Sequence, residues 1–195
     1  MNYLAHLYFA KKTPESVFGN LLADFCKGID LSQFNAQVLN GVNNHRAIDR
    51  FTDQHPEVKT LKEHLSSSRK RFSFVIADVV FDHFLAQRWQ TYSAISLAEF
   101  AQQQYQLLLP SLPLMPPMMR SKIELMIEQN WLEGYQDLNN IGRALDGISA
   151  RLRFQNRLVG AIDEVEQHYL HYQRVFELFF PDLIEHVHNA QIERG

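Results

Sequence analysis

The sequence predicts an all-α fold, a single-domain helical bundle, on three observations. Apolar residues recur at steps of three and four almost throughout the 195-residue chain. Val and Ile alternate with polar residues over no convincing stretch, so no sheet is expected. Proline, glycine and capping residues fall between these runs, where helices start and stop. A composition of 46% hydrophobic and 21% charged residues supports a substantial core.

Each element has its own signal. Thr13-Pro14-Glu15 opens a helix with a capping hydroxyl, a proline at the first helical position and an acid near the positive end of the dipole. Phe18, Leu21, Leu22 and Phe25 continue it, and Gly28 can close it. A second helix is expected over about 32–53, ended by His55-Pro56, and Pro56 starts a short helix that stops in the serine run 66–68. From about 69 to 89 comes a long helix that is apolar on nearly every side. Further helices fit about 97–109, 118–130, 139–152, 158–180 and 181–192. Residues 110–117 hold four of the seven prolines and read as a loop.

Lys+Arg 19 against Asp+Glu 22 gives a formal charge of −3, which argues against a general nucleic-acid binder. No apolar run has the roughly 20 residues that cross a bilayer, so no membrane span is expected. Residues 1–10 carry no Lys or Arg and lack the basic start of a signal peptide. The single cysteine, Cys26, leaves no intramolecular disulfide and suits a reducing compartment. The expected location is cytoplasmic.

Chemistry concentrates on three helices. On the second, Phe34, Val38, Val42, His45, Asp49 and Thr52 form one stripe, so His45 and Asp49 continue the apolar face as an i, i+4 pair able to share one ion. The plainer reading of that pair alone is a buried His–Asp hydrogen bond. In the long helix Asp78 and Asp82 are one turn apart within an apolar run. Two adjacent buried carboxylates repel, and a cation between them is the least costly solution; pairing with Arg46, Arg50 or Arg88 is the structural alternative. Asp24 lies one turn after Asn20, and Gly19 beside it lets another helix approach closely. His6 sits in the apolar N-terminal stretch, with His83 in reserve. Nitrogen and oxygen donors without thiolate suit Mn, Mg, Fe or Zn, and carboxylate-rich sites lean to Mn or Mg. His168, His171, His186 and His188 read as surface residues.

Four motifs occur in order: Met1-Asn2-Tyr3-Leu4-Ala5-His6-Leu7, Gly19-Asn20-Leu21-Leu22-Ala23-Asp24-Phe25, His45-Arg46-x-Ile48-Asp49-x-Phe51-Thr52-Asp53-x-His55-Pro56, and Asp78-Val79-x-Phe81-Asp82-His83-Phe84-Leu85-Ala86. Together they resemble the acyl carrier protein phosphodiesterase family, from the first residue through Trp89 and more loosely past Leu145. The resemblance implies an all-helical enzyme distantly similar to HD-type metal phosphohydrolases. It implies removal of 4′-phosphopantetheine from holo acyl carrier protein, with Mn²⁺ as cofactor and Mg²⁺ as substitute. The His-Asp dipeptide of HD enzymes is absent, its nearest counterpart being the reversed Asp82-His83.

The mechanism expected on this basis has Asp24, His45, Asp78 and Asp82 holding the metal, with Asp49 as ligand or orienter. Arg46 or Arg50 stabilises charge on the phosphate, and His83 or His6 protonates the leaving alkoxide. The bases Lys59, Lys62, Arg69, Lys70 and Arg71 precede the long helix and form the expected docking face for the acidic carrier protein. Two competing readings are an HD-like phosphohydrolase acting on a nucleotide or small phosphodiester, and a non-catalytic helical binding bundle.

Overall fold

A computed structural model describes residues 1–152, 154 and 156–193. Twelve α-helices and no strand are found among these residues: α1 (Tyr3–Phe9), α2 (Pro14–Leu22), α3 (Ala36–Gln54), α4 (Pro56–Thr60), α5 (Ser73–Gln87), α6 (Trp89–Tyr92), α7 (Leu97–Leu108), α8 (Pro117–Glu128), α9 (Trp131–Gly134), α10 (Leu138–Arg151), α11 (Ala161–Gln167) and α12 (Tyr169–Ala190). None is long and apolar enough to cross a membrane.

The expected starts are made by the expected residues. Thr13 Oγ1 accepts from the Ser16 N–H at the head of α2, and Asn35 Oδ1 accepts from the Val38 N–H at the head of α3. α5 is central: α1, α10 and α12 all pack on it, which is why its sequence is apolar on nearly every side. Its Phe81 and Phe84 meet Phe176 of α12, and Phe179 stacks on Phe81. α2 packs closely on α3, and α12 packs on α3, α4 and α5.

Four expectations need correction. Residues 110–117 are not a loop: a 3₁₀ helix runs Leu109–Leu114 and α8 begins at Pro117. Proline carries a helical φ, and a short helix leaves its early N–H positions unused in any case. The helices expected at 158–180 and 181–192 divide elsewhere, at His168, and α12 continues through Pro181. Pro181 is exposed, so the hydrogen bond it removes is lost where water reaches the backbone. The N-terminal stretch, assigned no element from sequence, is helix α1. Of the histidines read as surface residues, only His188 is exposed; His168 and His171 pack around His64, and His186 stacks on Phe51.

Candidate metal centre

The centre is built where α2 crosses α3. A Cβ on Gly19 would lie 2.1 Å from the Val38 carbonyl oxygen, and one on Gly41 would lie 2.8 Å from that of Ser16. With no room for a methyl group, the two backbones touch. Beside this contact the Asn20 carbonyl accepts a 2.7 Å hydrogen bond from His45 Nδ1. That bond fixes the tautomer and leaves Nε2 to face the acids, the arrangement that orients a metal-binding imidazole. His45 Nε2 lies 3.0 Å from Asp49 Oδ2 and 3.4 Å from Asp24 Oδ1.

Helix α1 supplies the other half. His6 is fully buried and stacks on His45, ring centroids 3.6 Å apart and planes 13° from parallel. Its Nε2 lies 3.2 Å from Asp49 Oδ1. Its Nδ1 is buried and has no hydrogen-bond partner among the described residues. Ligand atoms of His6, His45 and Asp49 all fall within 4.8 Å of one another. The Met1 α-ammonium, buried beside them, donates to Asp49 Oδ1 at 3.3 Å and to Asp78 Oδ1 at 2.5 Å.

Burial disfavours charge on both imidazoles, but their surroundings separate them. Burial and the neighbouring His45 charge push His6 down to about 4, so it is neutral at pH 7. For His45 burial is outweighed by hydrogen bonds to Asp24 and Asp49, which hold it protonated to about pH 9. Asp24, which is exposed, and Asp49, which is half-buried, stay below the usual carboxylate range, because their desolvation is outweighed by His45 at Asp24 and by the Met1 ammonium together with His45 at Asp49. Burial, with the Asp49 charge, raises Asp78 to about 6 against the pull of Met1.

Among the residues expected to hold metal, Asp24 and His45 are in direct contact. Asp78 joins through Met1. Asp82 has other partners: its Oδ2 accepts the Leu4 N–H at 2.7 Å and its Oδ1 the Ala5 N–H at 3.2 Å. Fully buried, it caps α1 from the side and pins that helix to α5. His83 is also outside the cluster. Its Nδ1 meets the Tyr135 carbonyl at 2.9 Å and its Nε2 the Tyr169 hydroxyl at 3.0 Å. Burial lowers the pKa of His83 as it does that of His6, so burial disfavours the charged form of both histidines expected to donate a proton. Arg46 and Arg50 are exposed, one turn apart on α3.

The expected docking bases divide. Lys59, Lys62, Lys70 and Arg71 are exposed, with the Arg71 guanidinium 4.6 Å from the centre of the Phe72 ring. Arg69 is a clamp. It donates to Glu164 at 2.6 Å and to the carbonyls of Arg157 and Val159, each at 2.7 Å.

Sequence reasoning missed three contributors. The Met1 ammonium has no side-chain pattern to betray it. Asn44 donates to Asn20 Oδ1 at 3.1 Å, and its place beside His45 was the available hint. Glu193 returns from the far end of the chain: its buried carboxylate accepts from Ser16 Oγ and Asn20 Nδ2, both at 2.8 Å, and from the Lys11 N–H at 3.0 Å. No local signal could connect it to residues more than 170 positions away.

A family model described as acyl carrier protein phosphodiesterase matches residues 1–183. Proteins named acyl carrier protein phosphodiesterase are similar over nearly the whole chain. That of Serratia proteamaculans is 36% identical, covering 98% of this chain and 100% of its own length. That of Yersinia pestis is 34% identical and that of Pectobacterium atrosepticum 30%, each with the same coverage. No solved structure matches. The match over residues 1–183, with relatives 30–36% identical over 98% of the chain, means that the chain belongs to the acyl carrier protein phosphodiesterase family.

Proposed function

We propose that the protein is a divalent-cation-dependent phosphodiesterase that cleaves holo acyl carrier protein into the apo protein and 4′-phosphopantetheine, with Mn²⁺ as cofactor and Mg²⁺ as substitute. The observation that carries the metal part is the convergence of His6, His45 and Asp49 within 4.8 Å, with a buried ring nitrogen of His6 left unpartnered. Two imidazoles and carboxylates without thiolate suit such ions. Asp24 is the further oxygen donor within reach of His45.

A divalent cation bound here would lower the pKa of water and polarise a phosphoryl oxygen. The protein's own groups do the rest. The Asn20 carbonyl holds His45 Nδ1–H and keeps Nε2 directed at the acids. His45 gives up its Nε2 proton to become a ligand. His6 is neutral at physiological pH and has a lone pair available without that cost. Arg46 and Arg50 bind the non-bridging phosphate oxygens, which guanidinium geometry matches. The exposed bases Lys59, Lys62, Lys70 and Arg71 receive the acidic carrier protein. Cys26 is unpaired, in keeping with a cytoplasmic setting.

The test is a mass shift of purified holo acyl carrier protein incubated with the protein and Mn²⁺, beside a chelated control. The expected result is loss of the phosphopantetheine mass only with metal. No shift, with metal still bound by elemental analysis, turns the reading to a phosphohydrolase of another substrate. No shift and no metal turns it to a binding bundle.

A further inference from the structure

A cavity of about 580 Å³ opens between α8, α9, α10 and the start of α1, within the size range of small-molecule sites. One face of α10 lines it, with Asn140, Arg143, Ala144, Gly147, Ile148 and Arg151 at helical spacing. Opposite stand Lys122, Trp131, Tyr3 and Asn2. Three features give it a chemistry. No Asp or Glu lines it, although it holds three basic side chains, Lys122, Arg143 and Arg151. Neither Lys122 nor Arg151 has an ion-pair partner among the described residues, and burial together with the Arg151 charge lowers the Lys122 pKa. Its floor is apolar and aromatic: Tyr3 and Trp131 stack at 6.4 Å, and the Lys122 ammonium stands 5.1 Å from the centre of the Trp131 ring.

The cavity borders the metal centre. Met1 touches Asp49 and Asp78, and the next two residues, Asn2 and Tyr3, are cavity wall. Burial raises the Tyr3 phenol pKa, and the charges of Asp24 on one side and Arg151 on the other both act on it. Tyr3 thus stands between the cavity cations and the acids of the centre.

We propose that this cavity receives the phosphopantetheine arm of the substrate, Lys122, Arg143 and Arg151 drawing its phosphate end toward Tyr3 and the metal centre, where Arg46 and Arg50 meet the non-bridging oxygens, and its methyl-bearing, amide-linked chain lying on Trp131 and Ile148. The inference rests on the function proposed above. The occupant is one molecule that is anionic at one end and mostly uncharged along its length, as the cation cluster and apolar floor require.

Gly147 gives the test its tool, because a Cβ built there meets nothing within 4 Å. Gly147→Phe should fill the cavity without displacing a neighbour, and Gly147→Met replaces it if thermal melting shows a damaged fold. Calorimetry with free 4′-phosphopantetheine and with unphosphorylated pantetheine is set beside steady-state turnover of holo acyl carrier protein. The wild type should bind the phosphorylated compound more tightly. Gly147→Phe and the pair Lys122→Glu/Arg151→Glu should each weaken that binding and raise KM at least about tenfold, with a smaller effect on kcat. A folded Gly147→Phe with unchanged KM, in a wild type that does hydrolyse the carrier, overturns the cavity assignment and leaves the function standing. If charge reversal raises KM while free 4′-phosphopantetheine binds all variants alike, the cations hold the carrier protein's acidic surface and the arm assignment falls. A wild type that turns over no carrier with metal present overturns the function, and with it the arm as occupant.

Discussion

His6 and His45 lie face to face, 3.6 Å between ring centroids, yet they stand on opposite sides of neutrality: His6 has lost its proton by about pH 4 and His45 keeps its own to about pH 9. Two protonated rings at that separation would repel, so the pair carries a single positive charge. Asp24 and Asp49 decide that His45 carries that charge.

The first prediction concerns pH. In the metal-free protein the folded state holds the His45 proton to about pH 9, whereas an unfolded chain releases it near 6.5. The stabilisation is therefore complete below 6.5 and is lost as the pH rises to about 9. Tm measured across that window should fall for the wild type and fall less for His45→Gln. Mn²⁺ affinity should move the other way, rising roughly tenfold per pH unit in the same window as the competing proton leaves.

Removing a donor should separate chemistry from folding. His45→Ala and Asp49→Ala should each lower kcat/KM on the order of 100-fold or more and reduce bound Mn²⁺, while circular dichroism keeps its helical signal. Elemental analysis after dialysis checks the metal content.

Asp82→Asn tests a different role for a residue whose sequence position suggested metal binding. An amide in place of the carboxylate sets an NH₂ against one of two backbone N–H donors at the head of α1. The expected loss is about 1–3 kcal/mol in urea unfolding. Mn²⁺ content of the folded fraction should stay near that of the wild type.

The glycine crossing should tolerate no enlargement. Gly19→Ala forces a methyl against the Val38 carbonyl, and Gly41→Ala one against Ser16. Each should cost at least about 2 kcal/mol, which in a chain of this length is roughly 4–8 °C in Tm. Activity should fall as well, because the same contact sets the distance from the Asn20 carbonyl to His45.

On the basic face the residues should behave differently. Lys59→Glu, Lys62→Glu and Lys70→Glu together should lower kcat/KM for the carrier protein about tenfold at low salt and flatten its salt dependence. Arg69→Ala should instead lower Tm, since Glu164 and two carbonyls lose their donor, and leave the salt slope unchanged.

Much of this was legible from sequence where the signal is local. The i, i+4 spacing of His45 and Asp49 put both on one face of α3, and Gly19 marked a close approach of helices before its partner Gly41 was known. The run of α5, apolar on nearly every side, read as a long helix without a wet face, and in the structure α1, α10 and α12 cover it. What stayed hidden depends on contacts between distant elements. Asp82 carries the same sequence signal as a metal ligand, a carboxylate in an apolar helix, but the end of α1 had satisfied it. His83 was likewise taken up by Tyr135 and Tyr169. His6 became part of the centre only because α1 docks on α5, which its own seven residues do not specify.

The Glu193 carboxylate has a consequence for the order in which the molecule is made. It grips Ser16 and Asn20, and Asn20 in turn orients His45, so a residue near position 193 steadies a centre whose closest members lie between positions 1 and 49. During synthesis α1 to α3 leave the ribosome long before that brace exists, and the loop it closes spans more than 170 residues. A nascent chain therefore carries every candidate ligand well before it carries the brace that steadies them. Chains stalled before residue 193 should hold these residues in loose register.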